Sequence, residues 1–255
     1  MKISSFLLLG FLSIGHAFPA ATKPAAFFLA GDSTTAVEGG WGDGFLKLLA
    51  NGAKGTNFAK SGRTTVSFVS GGFWDQVIAA VKANAASFTP RVTIQFGHND
   101  QKTTANISID QFKANLKKMV EQVRSAGGIP ILVTSLTRRT FDKSTGKVKE
   151  DLAPQAKATL EVASETNAQF IDLNKASTAY MNAIGQSNAD LYNLDNLPGG
   201  DRTHLNPSGE KLFGNMVAKL IGQSPVLELG AQTKGFLAPN AAIVAAIDAG
   251  KFILP

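Results

Sequence analysis

The chain has 255 residues, 44% of them hydrophobic and 17% charged, with a formal net charge of +6. That length and balance suit one substantial α/β domain whose core folds without covalent staples. The absence of cysteine excludes thiol catalysis, disulfides and cysteine-bound metal.

At the amino end, Lys2 precedes an apolar run over residues 6–14 and small residues at Gly15 and Ala17. This is the pattern of a secretory signal peptide over residues 1–17, cut after Ala17 or, as second choice, after Ala20, and it is too short to span a membrane. The mature protein is expected to be extracellular, soluble and monomeric, with a charge of +5 because Lys2 is the one charge removed. A positive surplus raises encounter rates with polyanions. Lys and Arg are scattered, with no basic run that interleaves aromatics, so of the two polyanion classes, acidic polysaccharide and nucleic acid, nucleic acid is the less expected partner, and no membrane partner is expected.

Five short apolar runs follow, at residues 25–31, 55–60, 91–97, 129–135 and 168–173. Near-continuous runs this brief suit strands of a parallel sheet buried on both faces. Helical patterns separate them at residues 42–50, 73–85, 109–126, 153–166 and 175–183. In 109–126 the apolar positions Ile109, Phe112, Leu116, Met119, Val120 and Val123 fall at helical spacing. Strand alternating with helix predicts an open α/β sandwich around a five-stranded parallel sheet. Asn206-Pro207 marks the start of a further helix, running to about residue 221. The catalytic domain is expected over residues 18–222 and an extension that packs on the core over 223–255, with one helix at 240–249. Asn106-Ile107-Ser108 is a glycosylation acceptor if the source is eukaryotic.

Ligands bind open α/β sheets at the carboxyl ends of the strands, which gives weight to chemically capable residues placed there. Asp32 and Ser33 follow the first run, Ser61-Gly62-Arg63 the second, and Gly97-His98-Asn99-Asp100 the third. Each group alone is also what any strand-to-helix turn is made of. With His16 in the leader, only His98 and His204 remain as bases. His204 lies three residues after Asp201, an offset at which a carboxylate can hold Nδ1 and leave Nε2 facing a nucleophile. Alone, the D-x-x-H pair is equally ligand, triad or accident. A serine hydrolase needs a nucleophile, an oriented base and oxyanion donors. Ser33 would attack, His204 would take its proton and Asp201 would fix the tautomer. The backbone N–H groups of Ser33 and Gly62, with the Asn99 side-chain amide, would meet the oxyanion.

No compact zinc constellation is present, and "EGGWGDG" follows no strand and lacks the lysine-serine ending of a P-loop. No cofactor and no metal are therefore expected. Trp41 is a candidate cleft wall and Trp74 a candidate platform for a sugar ring, although aromatics at helical spacing also suit a core. Arg63 could meet a uronate carboxylate or serve as a structural ion pair. Asp32 and Asp100 are expected to hold loops through backbone N–H groups.

"GDST", the glycine of "KSGRT", "GHND" and "DRTH", in that order, resemble the four signature blocks of the SGNH, or GDSL-type, serine hydrolases. The resemblance covers about residues 27–222 and implies a three-layer flavodoxin-like fold, with Ser33, Gly62, Asn99 and His204 as the four name-giving residues and Asp201 as the acid. Within the family, "GDST" with "GWGD", "AKSGRT" and "FGHND" is most similar to rhamnogalacturonan acetylesterases, which implies deacetylation of pectin backbones. Two features depart from relatives: fungal members carry disulfides, and the serine lacks the G-x-S-x-G elbow of α/β-hydrolase lipases. A lipid esterase or lysophospholipase on the same scaffold, and a catalytically inactive polysaccharide-binding protein, are the alternatives.

Overall fold

The computed structural model describes residues 23–195 and 200–255. The predicted leader and the Pro198-Gly199 part of the turn before Asp201 lie outside the described residues. Five strands, β1 (Ala25–Gly31), β2 (Lys54–Asn57), β3 (Thr89–Gln95), β4 (Ile129–Val133) and β5 (Gln169–Ile171), form one sheet. Every pairing is parallel and the order is β2-β1-β3-β4-β5, the flavodoxin-like arrangement.

Alternation along β1 divides the core in two. Phe27 and Leu29 face one side, packing with α1 (Gly42–Leu46), α6 (Leu173–Ile184) and α8 (Pro207–Gln223). Ala26, Phe28 and Ala30 face the other, against α2 (Thr65–Ser70), α3 (Phe73–Asn84), α4 (Ile109–Ser125) and α5 (Ala153–Thr166). Three layers follow from this two-residue period and from the one apolar stripe each helix offers.

Elements start and stop for local reasons. Ser108 caps α4 by accepting from the Gln111 N–H; five of the six apolar residues spaced for a helix, Phe112, Leu116, Met119, Val120 and Val123, are buried, while Ile109 in the first turn is exposed. Asn206 caps α8 by accepting from the Gly209 N–H, with Pro207 in the first turn. β3 starts earlier than expected: Pro90 sits opposite Ala26 of β1, one residue before β4 joins at Arg91, so its missing N–H leaves no bond to β4 unmade.

The crossing of α1 over α8 fixes how the chain after β1 and the chain near residue 210 meet. A Cβ on Gly44 would lie 2.1 Å from the Glu210 carbonyl oxygen, and one on Gly214 would lie 2.3 Å from the Gly44 carbonyl carbon. Only glycines allow backbones this close. Residues after α8 include α9 (Leu229–Thr233) and α10 (Ala241–Ala249), with α7 (Gln186–Ala189) lying earlier, after α6. Leu229 and Ile243 join the α8 side of the core, and the Tyr180 hydroxyl donates to the Lys251 carbonyl at 2.9 Å. Among the described residues, no helix is long and apolar enough to cross a membrane.

Candidate active site

The first strand delivers Ser33 into a turn held from beneath. Thr35 and Ala36 donate backbone N–H bonds to the Asp32 carbonyl, while Asp32 Oδ1 accepts from the Thr34 N–H at 2.9 Å and its hydroxyl at 2.8 Å. The Thr34 hydroxyl in turn accepts from Gln95 Nε2, and Gln95 Oε1 accepts from Trp41 Nε1 at 2.8 Å. All of these polar groups are buried, and each new bond restricts the next. Ser33 is not needed to hold this turn. Its hydroxyl lies 2.8 Å from His204 Nε2, 171 residues away in the chain.

His204 comes from the loop before α8. Asp201 Oδ1 accepts from the Thr203 N–H at 2.8 Å and the His204 N–H at 2.9 Å, and Asp201 Oδ2 lies 2.5 Å from His204 Nδ1. Partial burial pushes the Asp201 carboxyl up, but the His204 ring and the two backbone donors outweigh it and hold it below the ordinary carboxylate range. The loop is pinned to the serine side as well. The Gly39 N–H donates to Glu210 Oε1 at 2.8 Å, and the Leu205 N–H donates to the Gly39 carbonyl at 2.9 Å. Gly39 has φ +97°, which favours glycine, and a Cβ there would lie a tight 3.3 Å from the His204 Cβ and in ordinary contact with its ring at 3.7 Å.

Gly62 stands in an exposed turn after β2, and Asn99 lies after β3 and is 6% exposed. Asn99 Nδ2 donates to the Arg63 carbonyl at 3.1 Å, and Asn99 Oδ1 accepts from Lys102 Nζ at 2.7 Å. An amide nitrogen carries two hydrogens, so this side chain is aligned while keeping one N–H for a ligand. Among the described residues, no acceptor takes the backbone N–H of Ser33 or Gly62. A hydroxyl, a ring nitrogen and a carboxylate in line, with unspent donors on neighbouring strand ends, can carry out acyl transfer.

The model of the GDSL-like lipase/acylhydrolase family matches residues 29–212. The chain belongs to that family. The rhamnogalacturonan acetylesterase RhgT of Bacillus subtilis is 32% identical over 84% of this chain and 95% of its own. Among solved structures, protein YxiM of Bacillus subtilis aligns with a TM-score of 0.64 at 23% identity over 78% of this chain, which spans only 56% of that one. A lipase/acylhydrolase from Enterococcus faecalis aligns at 0.57 and 22% over 85% and 98%, and a variant of an acetylxylan esterase from Geobacillus stearothermophilus at 0.58 and 18% over 80% and 96%. At these identities the structures share the fold. As a GDSL-like acylhydrolase, the chain is an ester-hydrolysing enzyme.

Other candidates fall elsewhere in this acylhydrolase. Trp41 is fully buried, and Trp74 is 1% exposed with Nε1 donating to Gln122 at 2.7 Å, so both are core and neither walls a cleft. The Arg63 guanidinium lies 5.3 Å over the Phe73 ring, and among the described residues it makes no ion pair. Asp32 holds its own turn. Asp100 reaches across to Thr65, accepting its N–H at 2.8 Å and its hydroxyl at 2.6 Å. Burial raises the Asp100 carboxyl above the ordinary range, Asp32 adds repulsion, and the Thr65 donors only partly offset this. His98 is buried, with Nδ1 3.7 Å from Asp32 Oδ2, and the Ser33 hydroxyl is joined to His204 instead. Burial pushes Asp32 up, but His98 and the Thr34 donors hold it below the ordinary range.

One residue of the site escaped the sequence. Arg139, in the connection after β4, is fully buried. Its Nη2 donates to the His204 carbonyl at 2.7 Å, Nε donates to Asn193 Oδ1 at 2.6 Å, and its own N–H donates to the Arg202 carbonyl at 2.9 Å. Burial lowers its pKa to about 9, partly opposed by attraction to Asp201. The guanidinium therefore clamps the backbone of the histidine loop. The only sequence signal was its place just past the carboxyl end of a strand. Arg139→Met is expected to lower kcat on a small ester by on the order of 100-fold, because misplacing a reacting group by about 1 Å costs that much, with KM little changed. Melting curves and kcat of the same preparation check this: if kcat falls only with the folded fraction, Arg139 is structural alone.

Proposed function

We propose that this enzyme is a secreted carbohydrate acetylesterase that removes acetyl groups from acetylated acidic plant polysaccharide, rhamnogalacturonan first, through a Ser33-His204-Asp201 acyl-enzyme mechanism. The observation that carries the reading is the continuous line from Asp201 Oδ2 through the imidazole to Ser33 Oγ. In the first half-reaction Ser33 Oγ attacks the acetyl carbonyl carbon as its proton passes to His204 Nε2. The oxyanion is met by N–H groups of Ser33, Gly62 and Asn99, each such donor contributing about 3 kcal/mol in the transition state. Collapse breaks the ester bond, and the sugar oxygen leaves with the proton from Nε2. In the second half-reaction water attacks the acetyl-serine with Nε2 as base, and acetate departs while Ser33 regains its proton. Asp201 keeps the imidazole in the tautomer that both halves need and stabilises the imidazolium.

The RhgT likeness, the signal-peptide pattern and the positive charge support the substrate class and the export. Acetate release across acetylated rhamnogalacturonan fragments, xylan and mannan tests it. Release is expected to be fastest from the rhamnogalacturonan fragments. Faster release from xylan would overturn the substrate assignment, and steep preference for acyl chains longer than about four carbons would replace it with a lipid esterase.

A further inference from the structure

The connection between β4 and α5, residues 134–152, is far longer than the two to six residues usual in such units, and connections of this length commonly carry function. It leaves the carboxyl end of β4, the same edge of the sheet that carries Ser33 and Asn99. Within it, Phe141 and Val148 pair across a small hairpin and are buried in the core, and the Val148 N–H donates to Asn182 Oδ1 at 2.8 Å. The hairpin is anchored rather than loose.

Between the hairpin tip, the start of α7 and the histidine loop lies a cavity of about 590 Å³. Lys143, Lys149 and Arg202 supply its positive charge, and Thr140, Ser144 and Gln186 supply hydroxyl and amide groups. The one acid in its lining, Asp142, spends Oδ1 on the Ser144 N–H, the Ser144 hydroxyl and the Thr145 N–H. Arg202 is paired with Asp190 and Lys149 is attracted to Asp142, but both Lys143 and Lys149 are exposed and neither ammonium is held in a hydrogen bond or close ion pair among the described residues, so these are the cations open to a ligand. Arg202 stands two residues before His204, so their backbones are at most about 7 Å apart, and the cavity's lining reaches the loop that carries His204. None of these side chains takes part in the chemistry described above.

We propose that this cavity is a subsite for a uronate sugar of the substrate chain, its carboxylate held by Lys143 and Lys149 and its hydroxyls by the neighbouring polar groups. Resting on the acidic-polysaccharide reading, this assigns the charge selection to one place. Three cations, Lys143, Lys149 and Arg202, outnumber the one acid, Asp142, in the lining; such a surplus concentrates anions, and the hydroxyl and amide lining suits a sugar better than an apolar chain.

The test is the double variant Lys143→Ala/Lys149→Ala, assayed on three substrates. Both side chains are exposed, so the fold and the turnover of p-nitrophenyl acetate should match wild type. KM for an acetylated, galacturonate-containing rhamnogalacturonan oligomer is expected to rise about tenfold with kcat unchanged, and the salt dependence of kcat/KM to flatten. Kinetics on acetylated xylo-oligosaccharide, which has no carboxylate, should not change. An unchanged KM on the acidic oligomer, or an equal loss on the neutral one, overturns the subsite while leaving the acetylesterase reading standing. If wild type leaves acetate on the acidic oligomer, that reading falls and the subsite falls with it.

Discussion

Ser33→Ala is expected to lower kcat on p-nitrophenyl acetate by about five to six orders of magnitude while the protein melts within a degree or two of wild type. The two halves of that expectation have separate causes. The Ser33 hydroxyl is joined to His204 Nε2 and does not hold its own turn; the carboxylate of Asp32, the Thr34 hydroxyl and Gln95 do that. Removing one oxygen therefore leaves the loop in place and takes away the atom that forms the acyl bond. What remains is orientation and the oxyanion donors, worth roughly 10³ to 10⁴ over water. His204→Ala should fall almost as far, and the double variant hardly further, because the residues act as a unit. Undiminished turnover in Ser33→Ala would refute the covalent mechanism. A wild-type protein that is not labelled at Ser33 by a serine-directed phosphonate, yet retains polysaccharide, would be a binding protein instead.

How far the sequence reaches depends on whether a feature is local. β1, β3 and β4 were legible because they are buried on both faces, and α4 and α8 because cap and apolar stripe agree; β2 departs from the expected 55–60 run, ending at Asn57 as a half-exposed edge strand, because the outermost position of the sheet needs no second buried face. α2 was missed: six residues are too few to show a period, and its capping box closes with Ser67 where the familiar pattern has Glu or Gln. Ser33, Asp201 and His204 were legible as residue types behind strand ends and in a short loop. That they meet is the work of the Gly44–Gly214 crossing, which no local pattern announces. Trp41 and Trp74 fit both a cleft and a core by spacing, and burial chose the core. Arg139 could not be separated from its neighbour Arg138 by sequence. One is fully buried under the histidine loop, and the other is partly exposed near Asp151. The difference comes from the path of a connection whose shape is set by Phe141 and Val148 finding the core.

The carboxylate offers a sharper test than the nucleophile, because asparagine preserves its shape. Asp201→Asn is expected to cost about 10⁴ in kcat, and the surrounding bonds say why the loss should be that complete. Asp201 Oδ1 accepts from two backbone N–H groups, Thr203 and His204, so the asparagine carbonyl must take that place. Its NH₂ is then directed at His204 Nδ1, where the carboxylate oxygen stood 2.5 Å away. A donor there forces Nδ1 to accept and puts the ring proton on Nε2, facing Ser33. The base is present, oriented and in the wrong tautomer. The sign of the pH effect follows from the same bonds. With its folded pKa held below the ordinary carboxylate value, Asp201 contributes its full stabilisation above that value and loses it only as pH falls through the lower one. Thermal melts of wild type and variant should thus differ near neutrality and converge in strong acid, whereas the kcat deficit should persist across the neutral range. A variant within tenfold of wild-type kcat would show that the imidazole takes its tautomer from something other than Asp201.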